Sequence, residues 1–377
     1  MKRLRTPFPT IGYYGPKYFC DREEEIKKIT QNLEGGQSTT LTSIRRMGKT
    51  ALINHLQYQL GKSRICVYVD ILPTENTNDF LDQLATAILN SVEEKTSTGK
   101  KILNVLKSLR PIFSFDTLTG QPNVTFNLEP DQSRQQIETL LKLLESQNKP
   151  VVVAIDEFQQ IYQYPEKNID AWLRKIIQQL RNVVFIFSGS QQHIMNDIFL
   201  NPGKPFYRST VFLNIEKIQP EVYRTFIIKK YKDEGYSVSE DIVNKILQWT
   251  NGHTYYVQLL CNRIFLSGQK EITDDVWQSA AFELLKEQEQ ILYTYRDMLT
   301  KNQWDLLKAI AFEGKVYRLT AKDFIAKYKL GSSATVLRSL DALIKKELIY
   351  KQAYKNGQYF YCVYDVLFQR WIERGIK

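Results

Sequence analysis

Short apolar runs alternate with amphipathic stretches along residues 1–217 of the chain. The runs lie at Thr39–Thr42, 64–70, 151–156, 183–188 and Val211–Asn214. Short strands that are apolar throughout and are separated by helices are typical of a parallel sheet with both faces covered. The pattern therefore predicts an α/β domain.

Helices are expected between these runs. The first takes Asp21 as its N-cap, carries acidic residues in its first turn and ends at a Gly-Gly pair. Further helices begin at Lys49 and lie near 78–93 and 168–180. Between 95 and 130 the alternation is lost, and a basic, apolar patch precedes a polar stretch that is either a hairpin or a surface loop.

The chain changes character twice after the last apolar run. Residues 219–288 have the pattern of successive amphipathic helices and predict a small helical subdomain. From about residue 291 the pattern predicts helices at 302–312, 320–328 and 333–346, with a turn between the second and the third. Two strands at 347–352 and 358–365 and a final helix at 366–374 follow. This order describes a winged helix. We therefore expect three domains, 1–217, 218–290 and 291–377.

Composition and charge narrow the class of protein. Hydrophobic residues make up 43% and charged residues 24% of the 377 positions, which is ordinary for a globular protein. The net charge of +10 permits a nucleic acid or another polyanion as a partner. Residues 291–377 contain 16 basic and 8 acidic side chains, so most of the net charge lies in the expected winged helix.

The cysteines, the histidines and the N-terminal sequence argue against several other classes of protein. The 4 cysteines and 3 histidines have no ligand-like spacing, so neither structural zinc nor a disulfide framework is expected. Pro and Gly follow the basic N-terminal residues before any apolar run as long as that of a signal peptide. No stretch of the chain approaches the roughly eighteen apolar residues of a membrane-spanning helix. We expect a cytoplasmic protein without a membrane partner.

One segment matches a phosphate-binding loop at all positions except the first. Residues 43–50 read S-I-R-R-M-G-K-T, whereas the pattern G-x-x-x-x-G-K-[ST] begins with Gly. The loop lies between an expected strand and an expected helix, so backbone N–H groups and the helix dipole would face the β- and γ-phosphates, with Lys49 as a point charge. The residues expected to bind nucleotide are Ser43, Arg45, Arg46, Met47, Gly48, Lys49, Thr50 and Ala51. The alternative is a basic helix start that binds nothing.

The apolar run at 151–156 supplies the second half of a candidate site. It ends in Asp156 and Glu157, at the carboxyl edge where open α/β sheets bind ligands. Asp156 and the Thr50 hydroxyl are expected to hold Mg²⁺, while Glu157 accepts a proton from, or orients, the attacking water. Asp-Glu after a strand is by itself usually a solvated strand end. Together with the loop, it indicates a site for ATP and Mg²⁺.

Two further residues are candidates for catalysis. Ser190 follows the run at 183–188, beside Asp156 in a parallel sheet, and either contacts the γ-phosphate or the water, or is a plain turn serine. Arg208 precedes the last apolar run. It either reaches a phosphate, within the chain or across a subunit interface, or forms a surface salt bridge.

Seven segments together resemble the archaeal-type ATPase family, within the AAA+ and STAND group of P-loop ATPases. In chain order they are FCDREEEI, IRRMGKTAL, AIDEFQQI, IFSGSQQ, FYRST, TNGHTYYVQLL and YDVLFQRWIERG. The resemblance extends over nearly the whole chain and is weakest between 95 and 130. It implies an additional-strand P-loop domain, a helical lid and a C-terminal winged helix. It also implies that Phe19, Cys20 and Arg22 lie near the adenine.

The chain departs from the family pattern in two places. Ser43 replaces the first glycine of the loop, which adds a side chain beside the phosphates. The G-x-P of the lid is Gly252-His253-Thr254 here, without the proline. His253 is therefore either a phosphate-contacting residue at the position of the lid's sensor or an ordinary residue that caps or packs at a helix start.

The leading functional prediction is an ATP-driven switch or motor. Mg·ATP would bind between the P-loop domain and the lid, hydrolysis would proceed by in-line attack of water, and lid closure would reposition the winged helix. A nucleotide-dependent homo-oligomer would be compatible with this cycle.

The alternative is a DNA-binding regulator that uses ATP only as a ligand. The residues expected to contact duplex DNA are Arg338, Lys345, Lys346, Lys351 and Lys355. Winged helices also bind proteins, so an acidic protein partner is the other interpretation of this charge. On the same helix, Leu337, Leu340, Leu343 and Ile344 are expected to form the core face.

Overall fold

The computed structural model of the protein describes residues 6–93, 95–117, 120–353 and 358–375. Two compact units are present. The first, called here the α/β unit, is Gly12–Glu216. The second, called here the helical unit, combines Met1–Ile11 with Lys217–Lys377. Among the described residues, none of the helices has both the length and the apolar character that crossing a bilayer requires.

The α/β unit is built around a parallel sheet. Its described strands are β1 (Thr39–Thr42), β2 (Ile65–Asp70), β3 (Ile112–Phe115), β4 (Pro122–Thr125), β5 (Val151–Asp156), β6 (Val183–Gly189) and β7 (Val211–Asn214). Five of them form one sheet in the order β2-β5-β6-β1-β7, in which neighbouring strands run parallel. β5 and β6 are buried along their whole length, as their continuous apolar sequences require.

Helices cover both faces of this sheet. They are α1 (Glu23–Glu34), α2 (Lys49–Leu60), α3 (Thr77–Asn90), α4 (Ser97–Ser108), α5 (Pro130–Glu145), α6 (Ile169–Ile177) and α7 (Gln192–Leu200). On one face, α1 and α2 pack their apolar side chains against Leu41, Val152 and Ala154. On the other face, α3, α5 and α6 enclose a larger core with alternate residues of β2, β5 and β6. The predicted α/β fold is confirmed.

The segment that the sequence left without an assignment has a definite structure. α4 is followed by the antiparallel hairpin of β3 and β4, in which Ile112 pairs with Thr125. The helix α5 was not foreseen, although Pro130 in its first turn and the capping box between Glu129 and Gln132 are sequence signals for its start. α7 was also missed.

The expected N-cap of the first helix is wrong by one residue. Arg22, not Asp21, occupies this position, without a side-chain capping bond. Both residues have positive φ, 61° for Asp21 and 75° for Arg22, so the chain turns sharply just before α1. The acidic first turn, Glu23 to Glu25, is where the helix dipole favours it.

The helical unit begins with four helices and a short strand pair. In chain order these are α8 (Pro220–Asp233), β8 (Ser237–Val238), α9 (Glu240–Trp249), α10 (Thr254–Leu266), β9 (Glu271–Ile272) and α11 (Asp274–Asp297). The N-terminal residues pack here as well, because Phe8 is fully buried, its ring centroid lies 4.7 Å from that of Tyr231, and its carbonyl accepts from Asn262 Nδ2 at 2.9 Å.

A C-terminal winged helix completes the helical unit. Its elements are α12 (Lys301–Glu313), α13 (Lys322–Tyr328), α14 (Ser333–Lys345), β10 (Ile349–Ala353), β11 (Tyr359–Val363) and α15 (Val366–Glu373). β10 and β11 form the antiparallel wing, and a bridge between Val316 and Tyr361 extends it. The order predicted from the sequence is confirmed.

One predicted core position on α14 is wrong. Leu340 and Leu343 are buried, but Leu337 is 49% exposed and Ser339 lies on the buried face instead. The helical period explains the change: positions 336, 339, 340 and 343 share one face, and Leu337 falls outside it with Arg338. The solvent face of α14 is therefore part apolar and part basic.

The last helix is clamped to α9. Arg370 donates from Nε to the carbonyl of Trp249 at 2.7 Å and from Nη2 to the carbonyl of Gln248 at 3.0 Å. The buried Gln369 accepts from Asn251 Nδ2 at 2.9 Å. These bonds satisfy carbonyls that a helix end leaves without an intrahelical partner, so the winged helix is fixed to the turn that precedes α10.

Candidate active site

The loop between β1 and α2 curls through two left-handed residues. Arg46 has φ 64° and Gly48 has φ 91°. A Cβ at Gly48 would have nothing within 4 Å, so backbone conformation rather than lack of space favours glycine there. No side chain caps the N-terminus of α2, whose first N–H groups lack intrahelical acceptors. A loop of this shape before a helix N-terminus suits an anion.

Lys49 brings a charge into this loop. Its side chain is 6% exposed, and Nζ donates to Ser43 Oγ at 3.0 Å. Ser43 in turn donates to the carbonyl of Ile44 at 2.7 Å. Burial lowers the pKa of the Lys49 ammonium, whereas Glu157 and Asp156 act to raise it. The serine that departs from the loop pattern thus serves as a hydrogen-bond acceptor for the lysine.

Asp156 joins the loop helix to the end of β5. Its Oδ2 accepts from Thr50 Oγ1 at 2.7 Å and from the Tyr68 hydroxyl at 2.9 Å. Burial and the neighbouring Asp156 raise the pKa of Tyr68 well above its usual value, so the phenol remains a donor. Tyr68 was missed by the sequence analysis, because its relevance depends on β2 lying beside β5.

Glu157 follows directly in a left-handed conformation, with φ 55°. Its Oε2 accepts from the Ser190 hydroxyl at 2.7 Å, from the Ser190 N–H at 3.3 Å and from Gln159 Nε2. The predicted proximity of Ser190 to the acidic pair is present in the structure. Gln159, which is buried, was not foreseen. One carboxylate oxygen is therefore held by three donors.

The remaining loop candidates differ in exposure. Arg45 and Arg46 are exposed, Met47 is buried, and Ala51 is half-buried. Arg208 is exposed, has φ 49°, and its guanidinium carbon lies 5.2 Å from the centroid of the Tyr207 ring.

The segment implied to lie near adenine packs on α2. The ring of Phe19 stacks on that of His55, with centroids 4.2 Å apart. His55 Nδ1 is 2.6 Å from the Tyr13 hydroxyl, and burial lowers the pKa of this histidine. Cys20 is buried, and Arg22 forms a 2.8 Å ion pair with Glu25. The aromatic partners Tyr13 and His55 carry no motif that sequence reasoning would detect.

His253 belongs to the helical unit. It is the N-cap residue of α10, its side chain is buried, and its ring centroid lies 4.9 Å from that of Tyr256. This ring contact supports the interpretation that His253 packs at the start of a helix. A contact between His253 and a phosphate remains a prediction.

The side chains at the loop fit Mg²⁺. The Thr50 hydroxyl and the Asp156 carboxylate lie within a hydrogen bond of each other, and both are hard oxygen ligands. Mg²⁺ commonly takes only one or two protein ligands and completes its shell with water and phosphate oxygens. No cluster of three or more His, Cys, Asp or Glu side chains suited to a metal is found among the described residues.

A second candidate surface lies on the winged helix. The basic side chains of Arg338, Lys345 and Lys346 are exposed, together with Asp341. Lys351 on β10 is exposed, and its Nζ lies 4.0 Å from the centroid of the Tyr359 ring. Lys355 lies outside the described residues. The surface is basic, but less uniformly so than the sequence count indicates.

Comparison with known proteins identifies a family for most of the chain. A family described as an ATPase domain predominantly from Archaea matches residues 19–260, and one described as "Probable winged helix domain" matches residues 290–374. None of the curated proteins matches the chain.

Solved structures show the same fold. The Walker-type ATPase of Pyrococcus abyssi is 18% identical, with 98% of this chain and 100% of that chain covered and a TM-score of 0.67. The ORC2 protein of Aeropyrum pernix in its ADPNP-ADP complexes is 12% identical, with 97% of each chain covered and a TM-score of 0.59. The Aeropyrum pernix ORC1 protein in complex with DNA is 13% identical, with 98% and 97% covered and a TM-score of 0.50.

The packing beneath Glu157 gives a testable prediction. A Cβ at Gly189 would overlap Gln159 Oε1 and lie 2.5 Å from Met195 Sδ, and both side chains are buried. We expect Gly189→Ala to lower the free energy of unfolding by about 1–3 kcal/mol in urea denaturation, because a packed core resists added volume. Gly203→Ala is the control, since its Cβ would meet Asn201 Oδ1 at an ordinary 3.5 Å. Equal stability of the two variants would contradict the packing at Gly189.

Proposed function

Because this chain belongs to the family of ATPase domains found predominantly in Archaea, we propose that it binds Mg·ATP at residues 43–50 and hydrolyses the γ-phosphate. The observation that carries the proposal is the convergence of a buried lysine, a threonine hydroxyl and two carboxylates at one edge of the sheet. Thr50 bonds to Asp156, and Glu157 and Asp156 both act electrostatically on Lys49.

The loop residues are assigned to phosphate binding. Lys49 donates its ammonium hydrogens to phosphate oxygens in place of Ser43, and the N–H groups of the loop and of the first turn of α2 supply further donors. Thr50 and Asp156 hold Mg²⁺, which when bound neutralises phosphate charge. Tyr68 keeps Asp156 oriented by donating to the oxygen that Thr50 also contacts.

Glu157 is assigned as the general base. Its carboxylate accepts the proton of the attacking water, and Ser190 and Gln159 hold the carboxylate in place. Three donors on one oxygen fix the orientation of the carboxylate beside the end of β6. Ser190 is also close enough to this carboxylate to contact the same water.

The other site residues are proposals of the same kind. Phe19, Cys20 and Arg22 would contribute to the adenine site, and His253 would contact a phosphate from the helical unit. Arg208, which is exposed, would contact a phosphate either within the chain or across the interface of a nucleotide-dependent homo-oligomer. We further propose the division into ATPase, helical and winged-helix domains at 1–217, 218–290 and 291–377, and a cytoplasmic location.

The clamp on α15 supports coupling of nucleotide state to the winged helix. Arg370 and Gln369 bind the turn that precedes His253, so a shift of this turn would be passed directly to α15. The proposed cycle is therefore that of a switch or motor.

The second candidate function is a DNA-binding regulator that uses ATP only as a ligand. The exposed side chains of Arg338, Lys345 and Lys346 favour it, since a basic helix face suits duplex phosphates. The exposed Leu337 beside them suits an acidic protein partner instead. ATPase assays with and without duplex DNA distinguish an ATP-hydrolysing switch from a regulator that only binds ATP. Sizing of the protein with a slowly hydrolysed ATP analogue then tests for the homo-oligomer.

Removal of the Lys49 ammonium tests nucleotide binding. We expect Lys49→Ala to weaken ATP binding about 10- to 100-fold in calorimetry, because a charge-assisted contact to phosphate is lost. Lys28→Ala removes an exposed lysine of α1 and should leave the affinity unchanged. Unchanged affinity in Lys49→Ala would refute the assignment.

Neutralising Glu157 separates binding from hydrolysis. Glu157→Gln keeps the shape of the side chain but loses the base, so ATP should still bind while turnover falls by about two to four decades. Glu24→Gln, on an exposed position of α1, should have wild-type turnover. Wild-type turnover in Glu157→Gln would place the base elsewhere, and a wild type that binds ATP without turnover would favour the regulator.

Charge reversal on α14 tests duplex binding. We expect replacement of Arg338, Lys345 and Lys346 by Glu to weaken duplex binding and flatten its salt dependence, because each neutralised phosphate contributes about −0.9 to the log–log slope. The control reverses the exposed lysines Lys229, Lys232 and Lys286 outside the winged helix. If both triple variants bind duplex DNA like the wild type in fluorescence anisotropy, the DNA assignment is wrong.

A further inference from the structure

The hairpin of β3 and β4 is firmly attached to the α/β unit through its inner strand. Val124 on β4 and Phe126 just after it are buried in the core. The N–H of Val124 donates to Thr86 Oγ1 at 2.9 Å, and the N–H of Phe126 donates to Asp82 Oδ1 at 2.8 Å. Both acceptors belong to α3, so the hairpin has a fixed base.

The outer strand of the hairpin, β3, exposes an unusual group of apolar side chains. All four residues of β3 are exposed, with Ile112 at 63%, Phe113 at 40% and Phe115 at 72%. Phenylalanine and isoleucine are seldom left this open in groups, and an apolar patch on a rigid element marks an interaction site. Phe113 and Phe115 are two residues apart on a strand, so they project from the same face about 7 Å from each other.

The same segment is strongly basic. Between Glu94 and Glu129 the only acid is Asp116, whereas the basic residues are Lys95, Lys100, Lys101, Lys107 and Arg110, all of them exposed. Ile102 and Leu106 anchor α4 in the core. Among the described residues, no ion pair is found for Lys100, Lys107 or Arg110. Arg110 stands two positions before Ile112, so positive charge and open rings adjoin along the chain.

We propose that α4 and β3 form a binding surface for single-stranded nucleic acid. The rings of Phe113 and Phe115 stack on unpaired bases, and Lys100, Lys107 and Arg110 contact phosphates. Open rings on an anchored strand, with exposed basic side chains in the segment just before it, are the combination that suits single-stranded nucleic acid. A duplex keeps its bases stacked inside and offers these rings nothing to stack on.

A membrane fits this surface less well. An inserting hairpin would have an apolar connection between its strands, whereas residues 116–121 read D-T-L-T-G-Q, with one apolar side chain in six. The proposed site shares no residue with the loop at 43–50 or with α14, so it goes beyond the proposed function.

The test uses the full chain and a fluorescein-labelled oligothymidylate of about 20 nucleotides, long enough for one complete site. We expect salt-dependent binding in fluorescence anisotropy. Phe113→Ala with Phe115→Ala should weaken it at least about tenfold, since stacking on aromatic rings contributes strongly per base. The combination of Lys100→Glu, Lys107→Glu and Arg110→Glu should weaken binding and reduce the log–log salt slope by about two, at roughly 0.7 per contact.

Matched controls keep this test independent of folding, of ATP and of the winged helix. Reversal of the exposed Lys27, Lys28 and Lys62 changes the net charge equally and should preserve binding, as should Lys49→Ala. All of the tested substitutions in α4, at Arg110 and in β3 are at exposed positions and should leave the melting temperature unchanged. The α14 charge-reversal variant should also bind oligothymidylate like the wild type.

Four results would overturn the proposal. They are no binding of oligothymidylate by the wild type at low salt, full binding by the Phe113→Ala, Phe115→Ala variant, loss of binding in the α14 variant, and binding of phosphatidylserine vesicles in place of the oligonucleotide. The last result would assign the surface to an anionic membrane. Weakened binding in both the phenylalanine variant and the charge-reversal variant, with unchanged binding in the controls, supports the proposal.

Discussion

The structure depends first on the burial of one charged ammonium. Lys49 lies almost out of solvent at the start of α2, where an uncompensated charge would be very costly. Its surroundings reduce that cost: Ser43 accepts its hydrogen bond, and the carboxylates of Asp156 and Glu157 favour its charged form. A phosphate would be a much stronger partner than a serine hydroxyl. The loop thus has unused binding capacity for an anion.

The two acids after β5 have different surroundings although they are adjacent. Asp156 receives hydroxyl donors from α2 and β2, while Glu157 receives donors from the end of β6 and from Gln159. The left-handed conformation of Glu157 turns the chain directly after the strand. One carboxylate is therefore tied to the loop helix and the other to the neighbouring strand. This separation suits one acid for a metal and the other for a proton.

The helical unit is organised around polar contacts at helix ends. Arg370 and Gln369 are on the last helix, yet their partners are the carbonyls and the side chain of residues 248–251. The motif YDVLFQRWIERG therefore has a mechanical explanation in this chain. Its aromatic positions pack in the winged helix, where Phe368 and Trp371 are buried, and its polar positions attach that domain to α9.

The elements whose signal is local could be predicted from the amino-acid sequence. The apolar runs fixed β1, β5 and β7 at their observed bounds, and Gly48-Lys49-Thr50 located the start of α2. Local periodicity also yielded the order of the winged helix. Local periodicity failed at α5 and α7, where polar and apolar positions are mixed. It also failed at Leu337, where a shift of one residue around the helix decides whether a side chain is buried or exposed.

Contacts between side chains that are distant in sequence follow from the fold and could not be predicted from local patterns. Tyr68 contacts Asp156 because β2 lies beside β5, a neighbour relation that no local pattern encodes. The exposure of Phe113 and Phe115 was equally beyond the sequence. An apolar strand residue is buried or open depending on what packs over it, and here α3 bonds to the inner strand alone. Backbone preference acts over a few residues, whereas contact depends on parts of the chain that are far apart in sequence.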